Sequence, residues 1–260
     1  MGFDVDIAAT GYPTVRNAFN ETLQLCFEKL SRAELKLAQD ILGLDMLDEI
    51  SPGGAEMLAD TALYSCKGSP GARSGARRAI DRIAPKLPFR RDPLRSAIAA
   101  RLPTAIFSVF LIERTHEQGV VVARDLLGDG STIRIMDQAL AAQAASFGEI
   151  PIAGRFVDLG PWHIGFGIVL PLRKSEVLAI RLALSDGEDI ANARGTLHEL
   201  VYPAHLHGEN LVMTTLEPII TALALAIDTG TIDVDDLAAS LGALLPGKPA
   251  SKRKRKAVSP

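Results

Sequence analysis

His198-Glu199, His205-Leu206-His207 and Glu209 form the densest run of metal-ligating side chains in the sequence. Imidazoles grouped with a carboxylate can bind zinc or activate a water molecule, which raises a metal-dependent hydrolase as one reading. The spacing argues against it. Position 202 is Tyr202, so the second histidine that a helical zinc-protease pattern needs four residues after His198 is missing. Pro203 and Gly208 bracket His205 and His207, and a solvated loop is the plainer expectation there. No cofactor and no metal are expected, with His198, Glu199, His205 and His207 held as the alternative set.

A second chemistry is carried by charge. Between Cys66 and Arg101 there are ten Lys/Arg and two acids, Asp81 and Asp92, a balance of +8. The last twenty residues add +6 with no acid, and the remainder of the chain carries −17. Such segregation suits a polyanionic partner or a complementary protein surface. Arg73, Arg77, Arg78, Arg82, Lys86, Arg90 and Arg91 are the candidate contacts, together with the tail run Lys252, Arg253, Lys254, Arg255 and Lys256. Only Phe89 lies among the first group, so base stacking on this segment is not expected. Gly68, Gly71 and Gly75 lead into the segment and could cradle a phosphate. However, there is no GK[ST] ending and no preceding strand, so a flexible linker with Ser74 as a helix cap is the simpler reading.

Nucleophilic catalysis finds little support. Cys26 falls on the apolar side of an amphipathic helix and is expected to be buried, whereas Cys66 borders the basic stretch, where a thiolate would be favoured. No G-x-S-x-G elbow is present, and no histidine is tied to either cysteine by a recognisable spacing. No secretory leader is read at Met1–Thr10, and the most apolar run, 211–227, is interrupted by Glu217 and Pro218. A cytoplasmic protein with reduced cysteines and no membrane contact is therefore expected.

The elements that must position these residues follow from periodicity. Val15, Phe19, Leu23, Cys26 and Leu30 recur at spacings of three and four and mark a helix from Pro13. Ser31-Arg32-Ala33-Glu34 has capping-box spacing for a second helix, and a third is expected over Glu56–Cys66. Lys67–Gly75 reads as a flexible glycine-rich piece, followed by a short basic helix to Ile83, a loop over Lys86–Asp92 and a helix over Pro93–Ala100, a section that together suits a mobile basic arm. Ile106–Glu113, Gly119–Leu127 and Thr132–Met136 then read as strands, with a turn at Gly128-Asp129-Gly130. Ala139–Ala145 suits a short helix or a loop. Gly148–Leu172 reads as a hairpin turning at Asp158-Leu159-Gly160-Pro161. In its second strand Ile164, Phe166, Ile168 and Leu170 share one face, and His163, Gly165, Gly167 and Val169 the other. Trp162, the single tryptophan, is expected to serve as a packing lid beside that turn. Lys174–Leu184 suits helix or strand, and the chain beyond it is helical up to a basic tail.

The order strand, GVVVARDLL, Gly-rich turn, TIRIMDQAL, then GRFVDLGPWHIGFGIVLPL resembles a β module of poorly characterised bacterial proteins, some of which carry a SEC-C-type zinc motif. The matching positions are Asp125-Leu126-Leu127, Asp137 and Leu170-Pro171-Leu172. The resemblance covers Phe107–Leu172 and implies an accessory or binding role in a bacterial protein. The cysteine cluster of the SEC-C motif is absent, so the resemblance brings no zinc.

The expected fold is α+β: a helical region over 1–103, a small antiparallel five-stranded barrel-like or curled sheet over 104–173, a helical region over 174–245, and a disordered basic tail over 246–260. The expected function is a non-enzymatic binding or adaptor module whose basic segments meet nucleic acid or an acidic protein, with homo-oligomerisation open.

Overall fold

A computed structural model describes residues 7–47, 53–65, 77–116, 119–184 and 190–212, all within one unit spanning Met1–Thr215. The expected positions Cys66, Gly68, Gly71, Arg73, Ser74, Gly75 and Lys252–Lys256 lie outside the described residues, as does the apolar run after Val212.

Five strands organise the unit: β1 (Ile106–His116), β2 (Val120–Asp125), β3 (Thr132–Met136), β4 (Ile150–Asp158) and β5 (His163–Pro171). They close into a ring in the order β1-β2-β3-β5-β4, with β4 returning to β1. The long first strand makes this possible. Its first half pairs with β4 and its second half with β2, a register shift after Ile112 separating the β2 register into two parts. Four pairings are antiparallel, but β3 meets β5 in parallel at Ile135 and His163, so the sheet is mixed where an antiparallel one was expected. The parallel contact follows from connectivity: the expected helix-or-loop is helix α7 (Gln138–Phe147), which carries the chain across one end of the ring before β4 begins.

The ring interior is small and apolar. Phe110, Ile112, Val121, Ala123, Ile135, Ile152 and Phe156 share one cluster, joined by Leu140 and Ala144 of α7. Asp137 caps α7 by accepting from the Leu140 amide at 2.9 Å. Phe156 needs room that two glycines provide. A Cβ at Gly165 would lie 3.0 Å from the Phe156 ring, and one at Gly154 would lie 3.2 Å from it. The space over Gly165 on the inward face of β5 is thus filled by an aromatic from the neighbouring strand. The opposite face, Ile164, Phe166, Ile168 and Leu170, turns outward and is buried in the two helix-bearing cores.

Those helices precede and follow the sheet: α1 (Ile7–Thr10), α2 (Tyr12–Glu28), α3 (Arg32–Leu42), α4 (Gly54–Tyr64), α5 (Ala79–Ile83), α6 (Pro93–Arg101), α8 (Lys174–Leu184) and α9 (Ile190–Leu206). The capping box at Ser31 and Glu34 forms as its spacing requires, with both reciprocal hydrogen bonds. Phe166 stacks edge-on against Phe19 at 5.3 Å and Tyr64 at 5.5 Å, joining α2 and α4 to β5. Trp162 is buried and meets the Tyr12 ring edge-on, the lid role expected of it. Cys26 is fully buried, and desolvation pushes its thiol up to about 12, so it is inert.

Lys174–Leu184 resolves as helix, and α9 runs through Pro203 to Leu206, where a loop was expected around His205. Within the basic stretch, residues 77–92 are not a mobile arm. Ala79, Ile80, Ile83, Ala84 and Phe89 are buried, and the first four pack with α2, α4 and α6 in one core. Arginines flanking those apolar side chains are therefore held on a fixed surface.

Candidate functional site

The basic residues separate into two kinds. Arg78 pairs with Asp81 at 2.7 Å and donates to the Pro103 carbonyl, and its guanidinium lies 5.6 Å from the Tyr64 ring. Arg82 grips both oxygens of Glu34, at 2.9 and 3.0 Å, and so ties α5 to α3. Arg95, beside them, pairs with Glu21 and Asp92. These arginines brace the helices. Arg77, Lys86, Arg90 and Arg91 are exposed, and among the described residues none of them forms an ion pair. The arginine pair Arg78 and Arg82 was read as polyanion contacts, and the structure commits both to acids of the chain itself.

The histidines do not converge. His198 is fully buried, with Nε2 3.0 Å from Ser65 Oγ, and its ring lies 5.8 Å from Phe107 and 6.0 Å from Tyr202. His205 is exposed, and His207 lies 2.9 Å from the Leu42 carbonyl. Glu199 is half-buried and its carboxyl is raised by desolvation, against a hydrogen bond from Ser65. Among the described residues no group of three metal-ligating side chains comes together. The four side chains point apart: along α9 His198 meets Ser65 and His205 faces solvent, while His207, past the end of α9, meets the Leu42 carbonyl.

What sequence reading missed is a buried ionic network between β4, α4 and α9. Arg155, in the middle of β4, donates from Nε to Asp60 Oδ1 at 2.7 Å, and Tyr202 donates to Asp60 Oδ2 at 2.9 Å. The Arg155 and Asp60 side chains are 3% and 1% exposed. The guanidinium lies 3.9 Å from the Tyr64 ring and 5.5 Å from Phe107, a cation on aromatic faces in a desolvated site. Among the described residues its Nη2 has no hydrogen-bond partner. A readable signal existed: an arginine inside the apolar run Ile150–Val157, and an aspartate on the apolar side of α4.

Asp125 of the DLL segment organises a second buried site. It accepts from Ser108 at 2.7 Å, from the Leu127 and Gly128 amides, and from Arg194 at 2.6 Å. The carboxylate thus fixes the β2–β3 turn against β1 and α9, a positioning role within the fold.

His198 makes the network pH-dependent. Desolvation first, and then the charge of Arg155, hold its pKa well below 6.5. The unfolded chain takes up this proton near 6.5 and the folded chain only at lower pH, so stability falls as pH drops below about 6.5. Glu199, raised by burial, works in the opposite direction closer to its own unfolded value of 4.5. The expected result is that His198→Gln flattens the stability–pH curve between pH 6.5 and 5.5. The wild type loses up to about 1.4 kcal/mol per pH unit through this residue. Urea titrations at several pH values check it; parallel curves for the two proteins refute it.

Among the described residues no helix is long and apolar enough to cross a membrane. No family model matches the chain, and no curated protein and no solved structure matches it.

Proposed function

We propose that the protein is a binding or adaptor module that meets a polyanionic partner, nucleic acid or an acidic protein surface, through the exposed cations Arg77, Lys86, Arg90 and Arg91. One observation carries this reading. Within a single packed segment, the arginines that face acids are tied to them, while these four stand exposed and, among the described residues, form no ion pair. Unneutralised cations on a rigid surface lose little entropy when they meet a partner, and they attract polyanions at long range. Arg73 and Lys252–Lys256 belong to the same reading by charge alone.

The test replaces Arg77, Lys86, Arg90 and Arg91 with glutamine and titrates an oligonucleotide and a poly-glutamate chain against both proteins by fluorescence anisotropy. The salt dependence of binding should shrink by about one unit of log–log slope for each phosphate contact removed. The melting temperature should stay near that of the wild type, because none of the four braces the fold. Binding that is unchanged in strength and salt slope would refute the proposal.

A further inference from the structure

We infer that the cleft between α2, α4 and β5 is a binding site for a small zwitterion of the α-amino-acid kind. The cleft has a volume of about 300 Å³ and is bordered by Arg16, Asn20, Leu23, Glu56, Leu63 and Phe166, with Asp60 also in its wall. That volume is at the lower end of those that take small ligands.

Its chemistry is divided. Leu23, Leu63 and Phe166 offer an apolar side, while Arg16 and Glu56 place opposite charges on the same cleft. Among the described residues these two form no ion pair with each other or with any other side chain. Opposite charges that share a cleft without meeting leave a gap that one molecule carrying both complementary charges can close. Arg16 is already oriented: it donates from Nη1 to the Gly165 carbonyl and lies 5.9 Å from the Phe19 ring, which leaves the rest of its fork for a carboxylate. Glu56 would take the ammonium, with the Asn20 amide beside it. Asp60 is spent on Arg155 and Tyr202 and forms a neutralised floor rather than a second anionic contact.

The backbone at this site departs from a regular strand. Gly154 pairs with Val169 and Phe156 with Gly165, so β5 spends four residues where β4 spends two. The extra residues bulge at 166–168, and Gly167 takes φ of +93°, a conformation that other residues rarely adopt. Bulges of this kind re-aim side chains and recur beside binding sites. Here the bulge brings Phe166 and Gly167 to the cleft.

The experiment uses the full chain and the twenty free L-amino acids, scanned by thermal shift and followed by calorimetry on any that raises the melting midpoint. The expected result is a midpoint that rises with concentration for a subset with small or aliphatic side chains. The corresponding decarboxylated amine and N-acetylated acid should each bind at least roughly tenfold more weakly, since each lacks one of the two charges. Glu56→Gln should produce a similar loss while moving the unliganded midpoint by only about a degree or two, because Glu56 is exposed and its one structural role is as the acidic residue in the first turn of α4. Arg16→Gln should do the same to affinity, although its bond to the Gly165 carbonyl makes Glu56→Gln the deciding variant. No stabilisation by any of the twenty, or binding indifferent to Glu56→Gln and to the single-charge analogues, overturns the inference.

Discussion

Asp60→Leu should cost about 3–5 kcal/mol of stability, a loss on the scale of the whole stability of many domains. The Arg155 side chain is only 3% exposed, on a strand buried on both faces. It is always charged, so it cannot escape by losing a proton. Asp60 supplies the compensating charge and accepts from both Arg155 and Tyr202. Leucine fills similar space but leaves the cation facing only aromatic rings, and the Tyr202 hydroxyl loses its acceptor. The melting temperature should fall by roughly 6–20 °C for a unit of this size. A second variant makes the cause visible. Asp60→Leu with Arg155→Met removes both charges and should recover much of the loss, as replacement of a buried ion pair by apolar groups often does. If the double variant is as unstable as the single one, packing around Asp60 rather than the stranded charge is responsible. Equilibrium urea unfolding of the three proteins decides between them.

The contrast between this network and the histidine run shows what local pattern can reveal. Helices α2 and α3 and the β4–β5 hairpin were legible because their signals are local: apolar residues at three and four, a capping box, an alternation broken by Gly-Pro. The turn after β2 was legible for the same reason, through Gly128-Asp129-Gly130. A barrel-like sheet was expected, but the parallel pairing that completes the ring was not legible, because the contact of Ile135 with His163 joins segments whose relation depends on where α7 delivers the chain. Functional chemistry divides the same way. His198, Glu199, His205 and His207 look like a cluster because they are close in sequence, yet α9 and the turn that follows it carry them to different neighbours. Arg155 and Asp60 are 95 positions apart and draw no attention singly, although they meet at 2.7 Å. Arg78 and Arg82 are spaced to share a helical face, but Arg78 stands before α5 as its extended N-cap, and the acids that claim the two include Glu34, 48 residues before Arg82. Charge counted along a segment cannot show which cations an acid from elsewhere will neutralise. Among the described residues of that segment, Arg77, Lys86, Arg90 and Arg91 are the cations left exposed without an ion pair.

Phe156→Ala should also cost about 3–5 kcal/mol, for a reason set by β5 itself. The inward face of β5 carries Gly165 where a larger residue would ordinarily fill a closed ring, and Gly154 does the same on β4. Phe156 occupies the space both leave, stacking edge-on against Phe110 at 5.2 Å. Truncation therefore empties a site walled in part by the backbone of Gly154 and Gly165, and backbone held in a closed ring of hydrogen bonds collapses little. Most of the cavity should persist, which places the loss at the upper end for an aromatic deletion. The converse substitution, Gly165→Ala, puts a methyl at 3.0 Å from the Phe156 ring and should cost about 1–3 kcal/mol by overpacking. The two changes act on one volume, so they should not add. Phe156→Leu combined with Gly165→Ala should be less unstable than the sum of its parts, because the added methyl occupies space that the smaller side chain gives up. A double-mutant cycle by urea denaturation measures this directly. Strict additivity would mean that Phe156 and Gly165 do not share a space, and the glycines of this hairpin would then need another explanation.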